Sequence, residues 1–247
     1  RREQVSAHIV APDGAPVERP IEIRTHPLTG RRSRITFSRS GEAESGTRQL
    51  PPPPPHADRD DLCPFCRPHL DRRTPRFPPT FHPDGRMERG RSVLFPNLFP
   101  YAAYSAVSLI DEQHFVEIGT ASQQSYADCF INAAAYLERV RETDKTAAYM
   151  AIAQNHLPSA GGSLLHPHLQ VHADRLAPNH HRFLERRSRA YRAKTGRGLL
   201  SDILSHEKCG GTRTIGATGP WEWLAAFAPE GFYEIWGILP ERTSLLD

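Results

Sequence analysis

Long apolar runs and a large excess of charge of one sign are both missing from this sequence of 247 residues. No run approaches the length of a membrane-spanning helix, and no charged-then-apolar leader opens the printed chain, so no association with a membrane is expected. The formal net charge is only +3, which does not demand nucleic acid as a partner. A small positive bias suits a phosphorylated small molecule equally well.

Cysteine is also scarce. The four cysteines do not form the dense pattern of a secreted disulfide framework, so a cytoplasmic protein is expected. Two of them stand in Cys63-Pro-Phe-Cys66, a spacing that fits either a redox pair or half of a zinc site. A tetrahedral zinc ion would need two further ligands, and His114 with one histidine of the segment 166–172 could supply them.

The hydrophobic patterning predicts an α+β fold of antiparallel strands with flanking helices. Periodicity and turn residues predict a hairpin at 20–38 turned at 27–30, strands at 92–99, 103–110, 147–154 and 166–173, and helices at 122–143, 181–195 and 199–208. Residues 39–60 mix Gly, Ser and Glu and contain a run of five prolines, so a mobile loop is expected there.

One internal similarity bears on domain organisation. The segment 92–115 recurs loosely at 223–244, since both combine an apolar strand, a Pro-containing turn and an aromatic-rich strand. A true repeat would mean two related halves, the second of which stops where the first is about to begin its helix. The alternative is that any two hairpins resemble each other this much, and the sequence alone leaves both interpretations open.

The stretch GGSLLHPHLQVHAD, residues 161–174, carries the chemistry. Alternate residues of a strand share a face, which places four polar side chains together: His166, His168, Gln170 and His172. The preceding glycines can let backbone N–H groups approach an anion, and neutral imidazole is a good nucleophile at phosphorus. This combination favours phosphate chemistry. The alternative, histidines on the wet face of a sheet, would need neither the glycine loop nor the glutamine in register.

Several motifs together resemble one protein family. CPFC (63–66), FPNLFPY (95–101), a histidine after the following strand and N-x5-GGSLLHPHLQ (155–170) are similar to motifs of the galactose-1-phosphate uridylyltransferase family, the nucleotidyltransferase branch of the histidine-triad superfamily. EIRTHPLTGRRSRI (22–35) resembles that family's N-terminal hairpin. The resemblance runs from about residue 21 to the end of the printed chain.

The resemblance implies a domain organisation. It predicts a histidine-triad-like antiparallel sheet with flanking helices, in which the first half-repeat is complete and the second is truncated. The corresponding boundaries are an N-terminal extension at 1–19, a first half with the zinc site and the HPHLQ motif at 20–198, and the start of a second half at 199–247.

The resemblance also implies residue roles. His168 is expected to be the nucleophile that becomes covalently nucleotidylated, and Gln170, where triad hydrolases carry a third histidine, to bind the phosphoryl oxygens. Ser163 and the backbone around Gly161 and Gly162 are expected to contact the second phosphate. Asn155 is expected to support the nucleophile strand. Phe95, Asn97 and Phe99 are expected to line a nucleoside pocket. The structural zinc ion is expected to be bound by Cys63, Cys66, His114 and His166. No role is implied for His172.

Two features depart from the family pattern. Leu98 stands where typical uridylyltransferases carry Asp or Lys, and it looks more like adenylyl-transferring relatives such as ADP-glucose phosphorylase. The two phosphate-binding arginines of the family would fall near Gly41 and Glu44, with Arg39 and Arg48 as loosely aligned substitutes.

The function implied by the resemblance is ping-pong nucleotidyl transfer in carbohydrate metabolism. The name of the family implies galactose metabolism in particular. The expected partners are a nucleotide-sugar and a sugar phosphate or phosphate, with zinc as a structural cofactor and a homodimer as in many family members. Two alternatives stay open. One is a triad-type hydrolase or phosphorylase acting on ADP-glucose or dinucleoside polyphosphates, and the other is a catalytically silent, zinc-stabilised nucleotide-binding module.

Overall fold

The elements of the fold were obtained from a computed structural model, which describes residues 1–36, 52–55, 57–58 and 61–239. The strands are β1 (Arg2–Val10), β2 (Pro16–Thr25), β3 (Arg32–Thr36), β4 (Met87–Arg89), β5 (Ser92–Pro96), β6 (Tyr104–Leu109), β7 (Tyr149–Ala153), β8 (His168–Asp174), β9 (Thr214–Thr218), β10 (Trp221–Ala225) and β11 (Ile235–Ile238). The helices are α1 (Leu70–Arg73), α2 (Gln123–Thr143), α3 (Asn179–Thr195) and α4 (Leu199–Gly210).

These elements form two compact units. One contains the described residues 1–36 and 178–239, and the other contains those between 52 and 177. The predicted mobile loop at 39–60 lies largely outside the described residues. Within the part of the chain that is described, no helix is long and apolar enough to cross a membrane.

The unit between 52 and 177 is built on a five-stranded antiparallel sheet in the order β4-β5-β6-β8-β7. Helix α2 covers one face of this sheet. It begins after Ser122, whose side chain accepts a hydrogen bond from the backbone N–H of Ser125 and so satisfies one of the unpaired donors at the helix start. The helix contributes Cys129, Ala133, Tyr136, Leu137 and Val140 to the main hydrophobic core, at the three- and four-residue spacing of one helix face.

Strand β8 positions the candidate site because its two faces differ. Leu169, Val171 and Ala173 are buried in the core with α2, so the alternating residues project from the opposite face. The strand begins at His168, two residues later than predicted. Pro167 has no N–H to donate to a neighbouring strand, although its carbonyl still accepts a hydrogen bond from the backbone N–H of Ile110.

The other unit contains two three-stranded antiparallel sheets, β1-β2-β3 and β11-β10-β9, with helices α3 and α4. The predicted hairpin is confirmed as β2 and β3, and its turn closes on His26, whose Nδ1 accepts hydrogen bonds from the backbone N–H groups of Leu28 and Thr29, both at 3.1 Å. Gly30 adopts φ +74°, a conformation that glycine tolerates best. Residues 1–19, predicted as an extension, contain β1 and the start of β2.

The strands that suggested an internal repeat are hairpins of similar form. β10 pairs antiparallel with β11, as β5 does with β6. The relation between two halves, with boundaries at 20–198 and 199–247, stays a prediction. The remaining predicted elements are confirmed with ends that differ by a few residues, and the α+β architecture of antiparallel sheets with flanking helices is confirmed.

Candidate functional site

Four side chains that are far apart in the sequence converge into one cluster: Cys63, Cys66, His114 and His166. Their ligand atoms all lie within 4.8 Å of one another, with Cys66 Sγ 3.3 Å from Nδ1 of both His114 and His166. Tetrahedral zinc with bonds of about 2.0–2.3 Å to nitrogen and sulfur separates its ligand atoms by roughly 3.3–3.8 Å. The donor set and its spacing therefore fit a structural zinc ion, and the predicted ligands are brought together.

A second layer of contacts orients His166. Its Nε2 lies 2.9 Å from the backbone carbonyl of Asp111, so Nε2 carries the proton and Nδ1 faces the cysteines with its lone pair. Burial lowers the pKa of His166 to about 4, which keeps the imidazole neutral, as a metal ligand must be. Burial alone would raise the pKa of the Asp111 carboxyl, but hydrogen bonds from the Ser125 hydroxyl and the Gln113 backbone N–H hold it below its usual range.

His168 is held in the opposite orientation. Its Nδ1 lies 2.8 Å from the backbone carbonyl of His166, and a carbonyl only accepts, so Nδ1 donates and Nε2 keeps its lone pair. The ring is 8 % exposed and meets the edge of the Phe65 ring at a centroid distance of 5.3 Å. Burial lowers the pKa of His168, which favours the neutral imidazole. A neutral ring with one fixed tautomer and an unprotonated Nε2 is suited to nucleophilic attack.

Gln170 and His172 share a polar network on the same face of β8. The Tyr101 hydroxyl lies 2.6 Å from Gln170 Oε1 and 2.7 Å from His172 Nε2. The Ser105 hydroxyl lies 3.4 Å from His172 Nδ1, and Ser105 and His172 are paired across β6 and β8. Tyr101 as a whole is exposed, but partial desolvation of its hydroxyl raises the pKa of the phenol further above neutrality. The sequence did not predict a role for Tyr101 or Ser105. They contact His172 because β6 pairs with β8, and the sequence does not specify that pairing.

The glycine loop uses its own backbone amides. Gly161 N–H donates to the carbonyl of Pro158 at 2.9 Å, and Gly162 N–H donates to the carbonyl of Leu157 at 3.1 Å. A Cβ built on Gly162 would lie 3.0 Å from the Leu157 oxygen and 3.1 Å from the Asn155 oxygen, so a glycine is required for the loop to close this tightly. In this arrangement the two glycine amides shape the loop rather than point at a phosphate. Ser163 follows them and is exposed.

The three residues predicted to line a nucleoside pocket have different environments. Phe95 is 1 % exposed and belongs to a core cluster with Val93 and Val107, so it contributes packing rather than open surface. Asn97 is half-buried, and its Oδ1 accepts a hydrogen bond from the backbone N–H of Phe99 at 3.0 Å. Phe99 is exposed. The structure therefore does not gather the three side chains around one open pocket.

Of the residues that depart from the family pattern, only Leu98 lies within the part of the chain that the structure describes. Leu98 is exposed beside Phe99 in the loop between β5 and β6. Positions 39, 41, 44 and 48, considered for the phosphate-binding arginines, lie outside the described residues. Among the residues that are described, the cluster of Cys63, Cys66, His114 and His166 is the one group of three or more side chains arranged to hold a metal ion.

Comparisons with known proteins agree with this fold. No protein-family model matches the chain. An uncharacterized protein of Archaeoglobus fulgidus is 32% identical over 245 residues, which are 98% of this chain and 70% of that protein. An ADP-glucose phosphorylase from Arabidopsis thaliana, solved with bound ADP-glucose, aligns with a TM-score of 0.65 at 19% identity over 91% of this chain and 70% of its own. A uridylyltransferase aligns with a TM-score of 0.59 at 20% identity, over 91% of this chain and 68% of its own.

A third structure, a GalT-like protein from Arabidopsis thaliana, aligns with a TM-score of 0.64 at 19% identity, over 90% of this chain and 68% of its own. These neighbours define the fold of the chain, which is the one shared by the ADP-glucose phosphorylase, the GalT-like protein and the uridylyltransferase. The chain belongs to one family with the Archaeoglobus fulgidus protein, and the fold of this chain is GalT-like. The fold implied by the sequence motifs is confirmed.

Proposed function

We propose that the protein is a nucleotidyltransferase that moves a nucleoside monophosphate from a nucleotide-sugar to a phosphate or sugar 1-phosphate through a covalent adduct on His168. The observation that carries this proposal is the contact between His168 Nδ1 and the backbone carbonyl of His166, from which the tautomer of His168 follows. Its Nδ1–H is committed to the His166 carbonyl at 2.8 Å, which leaves Nε2 as the nucleophilic atom on the face of β8 that points away from α2.

The two half-reactions balance without a proton transfer to the nucleophile. In the first, the Nε2 lone pair forms a bond to the α-phosphorus, and the bond to the bridging oxygen breaks, so that the sugar 1-phosphate leaves with the electron pair. In the second, an acceptor phosphate oxygen attacks the same phosphorus and the electron pair of the P–N bond returns to Nε2. The His166 carbonyl stabilises the positive charge that the ring carries while it is nucleotidylated.

Gln170 favours transfer over hydrolysis. An amide can donate hydrogen bonds to phosphoryl oxygens, but it cannot take a proton from water or give one to a leaving group as an imidazole does. With a neutral amide at this position, water is not activated to hydrolyse the adduct, and the adduct persists until a phosphate acceptor binds. This distinction also separates the proposal from the hydrolase alternative.

The substrate class rests on two considerations. The Arabidopsis thaliana phosphorylase was solved with ADP-glucose, and Leu98 in this chain resembles the residue of adenylyl-transferring relatives. We therefore rank ADP-sugars first and UDP-sugars second as donors. A galactose substrate, a cytoplasmic location and a homodimer stay predictions.

The metal site plays a structural part in this proposal. Zinc bound by Cys63, Cys66, His114 and His166 would cross-link the segment before α1 to the start of β8. The residue that would bind the metal through its ring, His166, holds His168 through its carbonyl. No step of the transfer needs the metal.

The test is covalent labelling. The protein is mixed with ADP-glucose or UDP-glucose carrying a radiolabelled α-phosphate, without acceptor, and then denatured. We expect label on the protein that is stable in base and lost in acid, as a phosphoramidate is, and transfer of that label to phosphate or glucose 1-phosphate. His168→Ala should abolish labelling, whereas His180→Ala, on exposed helix α3, should leave it unchanged.

The alternatives give different results in the same experiment. Release of free nucleoside monophosphate without an acceptor would identify a hydrolase. Binding of the nucleotide-sugar with neither label nor release would identify a silent binding module. Labelling that persists in His168→Ala would contradict the proposed nucleophile.

A further inference from the structure

We propose that Tyr101, His172 and Ser105 form a relay of hydrogen bonds that fixes the orientation of the Gln170 amide, so that its NH2 group faces the phosphoryl oxygens. This inference rests on the proposed function, because it concerns the same reaction. Its new content is that Tyr101 and His172, to which neither the motifs nor the family resemblance gives a role, are positioning residues that act through Gln170.

The neighbours of Gln170 within the sheet show why such a relay is needed. Gln170 is paired with Val107 on β6 and with Ala153 on β7, and neither side chain can hydrogen-bond to its amide. An amide without a fixed partner can rotate by half a turn and exchange its oxygen for its nitrogen. The hydroxyl of Tyr101, 2.6 Å from Oε1, is the contact that holds the amide.

The donors and acceptors then fix the direction of the chain. Oε1 only accepts, so the single proton of the Tyr101 hydroxyl points at Gln170. Nε2 of His172, 2.7 Å from the same phenol oxygen, must therefore donate its proton to that oxygen. His172 Nδ1 is left as an acceptor for the Ser105 hydroxyl at 3.4 Å.

The direction matters because phosphoryl oxygens only accept. If His172 carried its proton on Nδ1, the phenol proton would turn to Nε2, and the Gln170 amide would have to turn its nitrogen toward Tyr101. Its oxygen would then face the phosphate, where two acceptors repel each other. The ring of His172 packs against that of Tyr101, with centroids 4.5 Å apart. This packing keeps Nε2 of His172 close to the Tyr101 hydroxyl.

The experiment is a double-mutant cycle on the single-turnover rate of His168 labelling at saturating ADP-glucose or UDP-glucose, whichever labels the wild type. Loss of one hydrogen bond to a positioned group is expected to lower this rate about tenfold. We expect that decrease for Tyr101→Phe when Gln170 is present, and less than a twofold decrease when the same change is made in Gln170→Ala. Tyr233→Phe, at an exposed tyrosine of the other unit, is the matched control and should leave the rate unchanged.

A second variant guards against misfolding. His172→Phe keeps an aromatic ring against Tyr101 but removes the Nε2 donor, and it should show the same dependence on Gln170 as Tyr101→Phe. Thermal unfolding midpoints within a few degrees of the wild type would confirm that the variants fold.

The outcomes separate the relay from the proposed function. Equal decreases with and without Gln170, or no decrease in either background, would overturn the relay while the labelled wild type still supports nucleotidyl transfer. A wild-type protein that acquires no label would overturn the proposed function, and the relay would fall with it.

Discussion

The metal-ligand cluster and the start of β8 hold histidines that are two residues apart, yet they hold them in opposite ways. His166 gives its Nε2–H to the Asp111 carbonyl and turns Nδ1 toward the cysteines. His168 gives its Nδ1–H to the His166 carbonyl and leaves Nε2 with a lone pair. For each ring, the backbone carbonyl that accepts its N–H therefore decides which nitrogen is available, and with it whether the buried imidazole suits a metal ion or a phosphorus atom.

The largest expected effect, on stability, comes from a substitution in the metal-ligand cluster. Cys66→Ser removes the thiol that lies 3.3 Å from both histidines, so the site would lose a soft ligand that zinc prefers. Loss of a structural metal commonly costs about 4–5 kcal/mol or more, which lowers the unfolding midpoint of a chain of this size by on the order of 10 °C. His168 labelling should fall in parallel, because His166 supports His168 through its carbonyl.

Metal analysis and thermal unfolding check this prediction. The wild type should contain one zinc ion per chain and Cys66→Ser none. Cys209→Ser, at an exposed cysteine, is the matched control and should keep both the metal and the unfolding midpoint. A wild-type protein purified without chelators that holds no zinc would count against the site.

A smaller effect is expected from the glycine loop, which should separate activity from stability. Gly162→Ala places a Cβ about 3 Å from two backbone carbonyl oxygens, so the loop before β8 must shift. A displacement of this kind near the reacting groups can lower a rate by about tenfold to a hundredfold. The unfolding midpoint should change by only a few degrees, because Gly162 lies in a surface loop that adds little to the core.

The control for this change is Gly210→Ala. A Cβ at that position, at the end of α4, meets no atom within 4 Å and needs no unusual backbone angle, so labelling should be unaffected. Labelling of Gly162→Ala at the wild-type rate would mean that the shape of the loop does not matter to transfer.

The sequence predicted what local patterns determine. Motif spacing pointed to Cys63, Cys66, His114 and one histidine of the segment 166–172, and the family resemblance identified that histidine as His166. Helical periodicity identified α2 to within a residue at its start. Contacts that depend on strand register were not predictable, because the sequence does not say that Ser105 lies opposite His172 or that Tyr101 reaches Gln170. The packing of Phe95 inside the core, rather than on an open pocket, was missed for the same reason.

The smallest effect extends the comparison to a third histidine. Nδ1 of His26 accepts two backbone N–H groups, from Leu28 and Thr29, so this ring must be neutral, and burial lowers its pKa below the usual value. The pKa in the unfolded chain is about 6.5, so the stability due to the neutral ring is fully present above that pH and is lost as the pH falls through the lower, folded value. Protonation would place a proton on Nδ1 of His26, which could then no longer accept the two backbone hydrogen bonds. Wild type should therefore lose more free energy of unfolding than His26→Asn between pH 7.5 and 5, measured by urea unfolding. Parallel slopes for the two proteins would show that the hydrogen-bond partner does not fix the protonation state of this histidine, as it does for His166 and His168.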